Sequence, residues 1–229
     1  MENIIKHTER EMQYLRNQMS DMWKLVISQL EKAKQAFVNK DIELALEVMS
    51  REKRVDAYEL KMDSDCENYI ALYSPVAIDL RLILSLMKIS NTLERIGDFA
   101  DGVARHVLDD DCNTVEDKLL DDLQIDAMFD IIIGMLSDSY VALESENTKL
   151  SGRILAKDEE VDDIYDNSLD VLAEYIAENA AFARCGLKVY LLIRKLERIG
   201  DHCSNIVEEI VFYVDAKVLK HGGLKSKNE

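Results

Sequence analysis

The chain is short of the residues that make turns: one proline and eight glycines in 229 residues, with aromatics at 7%. A β-sandwich, which needs a turn about every 8–12 residues, is excluded on that count. Positive charge is also scarce, with 28 Lys and Arg against 45 Asp and Glu and a net charge of −17. Proteins hold nucleic acid by neutralising its phosphates with Lys and Arg, so no nucleic-acid partner is expected. No apolar run approaches the roughly 18 residues of a membrane helix, and Met1-Glu2-Asn3 opens no signal-peptide pattern. A cytoplasmic protein that is not membrane-embedded is expected. The four cysteines, Cys66, Cys112, Cys185 and Cys203, have neither CxxC spacing nor a dense framework, which reads as reduced thiols. P-loop, GxSxG and dinucleotide fingerprints are missing too.

What the chain has in quantity is helical periodicity. Hydrophobic residues make up 48% and charged residues 32%, enough apolar material for one large or two small cores. Leu15, Met19, Met22, Val26, Leu30, Ala33 and Phe37 recur in steps of three and four, the buried stripe of a long helix. Met12, Met19 and Met22 are read as packing residues. Asn39-Lys40-Asp41 breaks the pattern, and Asp41 can cap a second helix carrying Val48, Val55, Met62 and Tyr69. Ser74-Pro75 then predicts an N-cap and first-turn proline for a third helix with Leu86, Ile89, Leu93, Ile96, Ala100, Val103 and Val107. Asp109-Asp110-Asp111 and Thr114 read as a linker. After it comes a fourth helix with Phe129, Ile132, Leu136, Tyr140 and Leu143, expected to end near Ser151-Gly152. A fifth carries Val161, Ile164, Val171 and Tyr175. The sixth, with Val189, Leu192, Leu196, Ile199, Cys203, Ile206 and Ile210, is expected to close before Gly222-Gly223. Long helices with short joins pack antiparallel. The expected fold is all-α, a tandem repeat of two antiparallel three-helix bundles, over residues 1–110 and 111–229.

The repeat is literal in places. Leu93-Glu94-Arg95-Ile96-Gly97-Asp98 recurs as Leu196-Glu197-Arg198-Ile199-Gly200-Asp201, offset by 103, and the same offset places Arg81 on Arg184. On the preceding helices, Arg51 to Asp56 parallels Lys157 to Asp162 at an offset of 106. Each half therefore holds (Glu or Asp)-x-x-x-Asp twice: Glu52/Asp56 and Glu94/Asp98, then Asp158/Asp162 and Glu197/Asp201. This spacing stacks two carboxylates on one helical face, about 5–6 Å apart at Cβ. With Leu93 and Ile96 at core positions a and d, Glu94 and Asp98 fall at b and f, outside; Glu197 and Asp201 do likewise.

One such pair is an ordinary solvated acidic face. Four are harder to dismiss, because like charges at this spacing destabilise a helix by about 0.2–0.5 kcal/mol per pair. Gly97 and Gly200 sit mid-helix at about 1 kcal/mol each relative to Ala, and their missing side chains would admit a neighbouring helix. Two carboxylate pairs could then meet around a cation. Oxygen donors without His or Cys favour Mg, Ca, Mn, ferrous or ferric iron, and sometimes Zn. His202 is either an outer group of such a site or a surface residue; Arg95 and Arg198 either balance the carboxylates or bridge to a neighbouring helix. Asp101 could join the first cluster, but Ser204 stands at the equivalent position in the second. Glu208 extends the second acidic face.

The doubled Leu-Glu-Arg-Ile-Gly-Asp resembles the PhoU family of phosphate-signalling regulators. So do the continuation His202-Cys203-Ser204-Asn205-Ile206, the Pro75-Val76-Ala77-x-Asp79-Leu80-Arg81 opening of the third helix, and the paired Val55-Asp56 and Val161-Asp162. The resemblance covers nearly the whole chain. It implies two three-helix bundles with multinuclear metal centres, iron first among the expected ions, bound through motifs that fall on the eight carboxylates above. It also implies a non-enzymatic homodimer. Such proteins act with a phosphate ABC transporter, on its ATPase side, and a membrane sensor histidine kinase, repressing the phosphate-starvation response when phosphate is plentiful. Where the family tends to His-x-x-Asn the first copy reads Phe99-Ala100-Asp101-Gly102, and the second copy lacks the proline turn, which puts identical occupancy of the two centres in question.

Two other classes compete. A di-iron carboxylate enzyme or iron store would use inward Glu-x-x-His pairs. Ile4, Val103, Ile199 and Val218 stand three residues before His7, His106, His202 and His221, so that motif is missing. The other is a metal-free helical scaffold, separable by metal content.

Overall fold

The computed structural model describes residues 2–109 and 115–219, and all regular structure among them is helical. α1 (Glu2–Asn39), α2 (Ile42–Tyr73) and α3 (Ala77–Val107) form one up-and-down bundle. A short α4 (Asp117–Asp122) leads into α5 (Ile125–Glu144), α6 (Ser151–Glu178) and α7 (Ala183–Asp215), which form the second. Asp110, Asp111, Cys112, Thr114, His221, Gly222 and Gly223 lie outside the described residues.

The periodic stripes are the core. Leu15, Met19, Met22, Val26, Leu30 and Ala33 of α1 are buried, as are Leu93, Ile96 and Ala100 of α3 and Leu196, Ile199 and Cys203 of α7. Asp41 caps α2 by accepting from the Leu44 N–H at 3.0 Å. The bundles do not keep separate cores: α3 lies along α7 and α1 against α5, and the buried residues of both form one continuous cluster. At the α3–α7 contact the Phe99 ring stacks on His202 with centroids 5.6 Å apart. These residues are one repeat apart, so the two halves meet here at equivalent positions.

Two helix boundaries differ from the sequence expectation. Ser74 does not cap α3. It ends α2 in the left-handed region (φ 46°), its N–H donating to the Ile70 carbonyl, and α3 begins at Ala77 after an extended Val76. Pro75 disfavours the right-handed helical conformation at the residue before it, so it stops α2 rather than starting α3. The fourth long helix closes at Glu144, well before Ser151-Gly152, which belong to the first turn of α6. Its stop is a Schellman arrangement: Glu146 takes φ 49° and the Asn147 N–H reaches back to the Ala142 carbonyl at 3.0 Å. α7 closes before Gly222-Gly223 as expected, at Asp215 with Ala216 left-handed. α4, which the periodicity did not announce, contributes Leu119 to the core, and Leu123 follows it there.

Cys66, Cys185 and Cys203 are buried and form no disulfide among the described residues. Burial, reinforced by Asp63 and Asp65, pushes the Cys66 thiol up to about 12, and burial raises Cys203 as well. Neither is a thiolate donor at neutral pH.

Candidate metal centre

α2 and α3 run side by side, and their facing surfaces bring Asp56, Glu94 and Asp98 together. One oxygen from each lies within 4.8 Å of the other two. Burial and mutual repulsion raise the acids here: Glu94 by burial, then Asp98, Asp56 and Glu59; Asp98 by burial, then Asp56 and Asp101. Glu52, one turn before Asp56, is raised by burial, then by Asp101, Asp98 and Asp56. It stands beside the triad rather than in it, with Arg105 at 3.9 Å. Asp101 is buried and its carboxylate is engaged by Arg105, so it enters the site as a neighbouring charge already held by a cation. Arg105 was not singled out from the sequence, although its i,i+4 spacing from Asp101 is a readable signal.

The second half repeats this arrangement incompletely. Asp162 is raised by burial and then by Asp201, and Glu197 by burial, then Asp201 and Asp162. Those three acids share a face of α6 and α7, but among the described residues no three of their oxygens come within 4.8 Å of one another. Asp158, the counterpart of Glu52, accepts a hydrogen bond from Ser204 Oγ at 2.6 Å. The Asp101-to-Ser204 exchange thus has a structural consequence: the first half places a carboxylate opposite Glu52, the second a hydroxyl that holds Asp158. The Tyr165 and Tyr190 hydroxyls, 2.7 Å apart, adjoin this second face; Tyr165 is three residues beyond Asp162, a spacing that could have marked it.

The mid-helix glycines are where the helices come close. A Cβ on Gly97 would lie 3.3 Å from Val55 Cγ1; one on Gly200 would lie 2.7 Å from Asp158 Oδ1. Gly97→Ala is therefore expected to leave stability within about 1 kcal/mol of wild type, the alanine helix preference offsetting a small shift of Val55. Gly200→Ala must displace Asp158 and is expected to cost about 1–3 kcal/mol. Urea denaturation of the two variants checks this, and equal effects would contradict the geometry.

His202 is not grouped with the carboxylates. It is buried against Phe99, and burial, then Arg198 and Arg95, lowers its pKa, leaving it neutral at pH 7. Neither arginine makes an ion pair to a neighbouring helix among the described residues. Arg95 instead eases the charge on Glu94 and Asp98, and Arg198 that on Glu197. Carboxylates gathered against their own repulsion, Glu94 half-buried and Asp98 exposed, with no thiolate or imidazole among them, suit a hard or borderline cation.

A family model described as the PhoU domain matches the chain twice, over residues 19–107 and 125–210. The chain is 32% identical over 225 residues to the phosphate-specific transport system accessory protein PhoU of Escherichia coli (strain K12), covering 96% of this chain and 92% of that one. It is 30% identical over 220 residues to the PhoU homolog of Aquifex aeolicus, covering 96% and 98%. Among solved structures, that of PhoU from Pseudomonas aeruginosa superposes with a TM-score of 0.82 at 28% identity, covering 91% of this chain and 99% of the other. With the domain present in both halves and the resemblance running almost end to end, the chain belongs to the PhoU family.

Proposed function

We propose that the protein is a non-enzymatic, metal-binding accessory regulator of phosphate uptake and of the phosphate-starvation response. The observation that carries the reading is the convergence of Asp56, Glu94 and Asp98 on the surface of the first of two PhoU domains. Relatives across nearly the full length are named accessory proteins of a phosphate-specific transport system. A cation there, iron first and Mn, Mg, Zn or Ca otherwise, would supply the positive charge that lets α2 and α3 keep three acids in contact. The residues to hold it are Asp56, Glu94 and Asp98, with Glu52 adjacent. Asp162, Glu197 and Asp201 form the second set, which Asp158 joins only by leaving Ser204.

As an adaptor, the protein works in the cytoplasm as a homodimer, between the ATPase side of a phosphate ABC transporter and a membrane sensor histidine kinase. No helix among the described residues is long and apolar enough to cross a membrane, so contact with membrane partners is through their exposed parts. A rigid two-bundle body suits this role, because it can report the transporter's state only by binding its conformations unequally. A strain lacking the protein is expected to express phosphate-scavenging genes in phosphate-rich medium. Repression returns with the wild-type chain and not with Asp98→Asn; normal repression in the deletion strain would refute the role.

A further inference from the structure

Beside the α3–α7 contact runs a groove of about 550 Å³ whose lining includes none of the triad's three acids. Lys88, Asn91 and Arg95 line it from α3, and His202 from α7. His202 is only 6% exposed, yet its Nε2 has no hydrogen-bond partner, a costly state for a buried polar atom unless something in the groove supplies one. Arg95 makes no ion pair among the described residues, and Arg198 lies one turn before His202. Two arginines related by the internal repeat thus bring positive charge to a buried imidazole, opposed by Asp201, in a chain of net charge −17. That is the chemistry of an oxyanion site.

The groove also contains Asp63, Glu208 and Glu209. Lys88 engages one oxygen of Glu209 at 2.8 Å, while Glu209 Oε2 is buried without a partner. Carboxylates repel an anion with no proton to give and accept a hydrogen bond from one that has. Sulfate is fully ionised at neutral pH, whereas phosphate keeps a P–OH. We propose that this groove binds inorganic phosphate, with Arg95 supplying charge, His202 an N–H, and the carboxylates selecting the protonated anion. The inference deepens the regulatory reading by naming its signal, and it rests on that reading only for the choice of phosphate as the physiological anion.

The test uses the full chain after chelator treatment, so that metal plays no part, at constant ionic strength. Phosphate is expected to shift the His202 imidazole resonances saturably, with sulfate weaker. Arg95→Gln raises the dissociation constant about tenfold or more, the loss of one charge-assisted contact. Arg54→Gln, which removes the same charge from an exposed position on α2, leaves it within about twofold, since distant surface charges are screened. The proposal is overturned by an unsaturable response, by sulfate matching phosphate, or by Arg54→Gln matching Arg95→Gln. Binding of ADP without binding of phosphate overturns it too, since the anion would then be a nucleotide's. Failure here leaves the metal titration and the repression experiment untouched, so the two readings fall separately.

Discussion

Asp98→Asn is expected to weaken cation binding at the first carboxylate triad by on the order of a hundredfold or more. Groups that merely orient a metal's ligands carry about 10–100-fold, and Asp98 offers an oxygen directly, within 4.8 Å of those of Asp56 and Glu94. Calorimetric titration of chelator-treated protein with ferrous, manganous and zinc ions, with elemental analysis of stoichiometry, measures the loss. Asp158→Asn makes a contrasting control, because Asp158 is already taken up by Ser204 and its removal should change affinity far less. Unaltered affinity and stoichiometry in Asp98→Asn would remove the triad as a site. The same acids set a pH dependence in the metal-free protein. Glu52, Glu94, Asp98, Asp162 and Glu197 all have raised values in the fold. Between the ordinary carboxylate value and the raised one, the folded chain binds more protons than the unfolded, so their contribution to stability falls as pH rises through that window. Asp98→Asn is expected to flatten this slope and raise the melting temperature of the metal-free protein at pH 7. Saturating metal should remove the slope in the wild type, the cation replacing the protons.

Much of this was legible from spacing. The core of α3 and α7 follows from Leu93, Ile96 and Ala100 and from Leu196, Ile199 and Cys203, because a 3.6-residue period needs no knowledge of the partner helix. Gly97 and Gly200 marked the helix crossings for the same local reason. Which carboxylates meet was less legible. Heptad geometry placed Glu94, Asp98, Glu197 and Asp201 outside, but a sequence does not say that Ser204 will hold Asp158, a bond between residues 46 apart on two helices. The Ser74-Pro75 error has a similar root: both residues are good helix starters in isolation, and only the direction of the incoming chain decides that they stop α2. Nor could periodicity show that the bundles merge. The residues of α3 that meet α7 mix types, with Ser85, Phe99 and Gly102 beside Arg81 and Lys88, so no second apolar stripe marks that contact.

That merged core leads to the largest expected loss of stability, at Trp23. The side chain is fully buried on α1, its Nε1 donates to the Leu136 carbonyl of α5 at 3.1 Å, and its ring lies against Tyr140, centroids 5.7 Å apart. Tyr140 in turn shares a hydrogen bond with Ser20 of α1 at 2.7 Å, so one cluster pins the first bundle to the second. Trp23→Ala is expected to cost about 3–5 kcal/mol, the range for emptying a large aromatic site in a packed interior. Trp23→Phe keeps most of the volume and loses the N–H; its cost should be about 1–2 kcal/mol. Because the chain has a single tryptophan, its fluorescence reports this junction alone, while circular dichroism reports all the helices. In the wild type the two signals are expected to follow one urea transition. If the bundles were independent, the fluorescence change would part from the helical one, and Trp23→Ala would leave much of the helix unfolding at the wild-type midpoint. A single transition shifted as a whole means that strain at either carboxylate face is felt across α3 and α7, the physical condition for one half of the molecule to answer to what the other half holds.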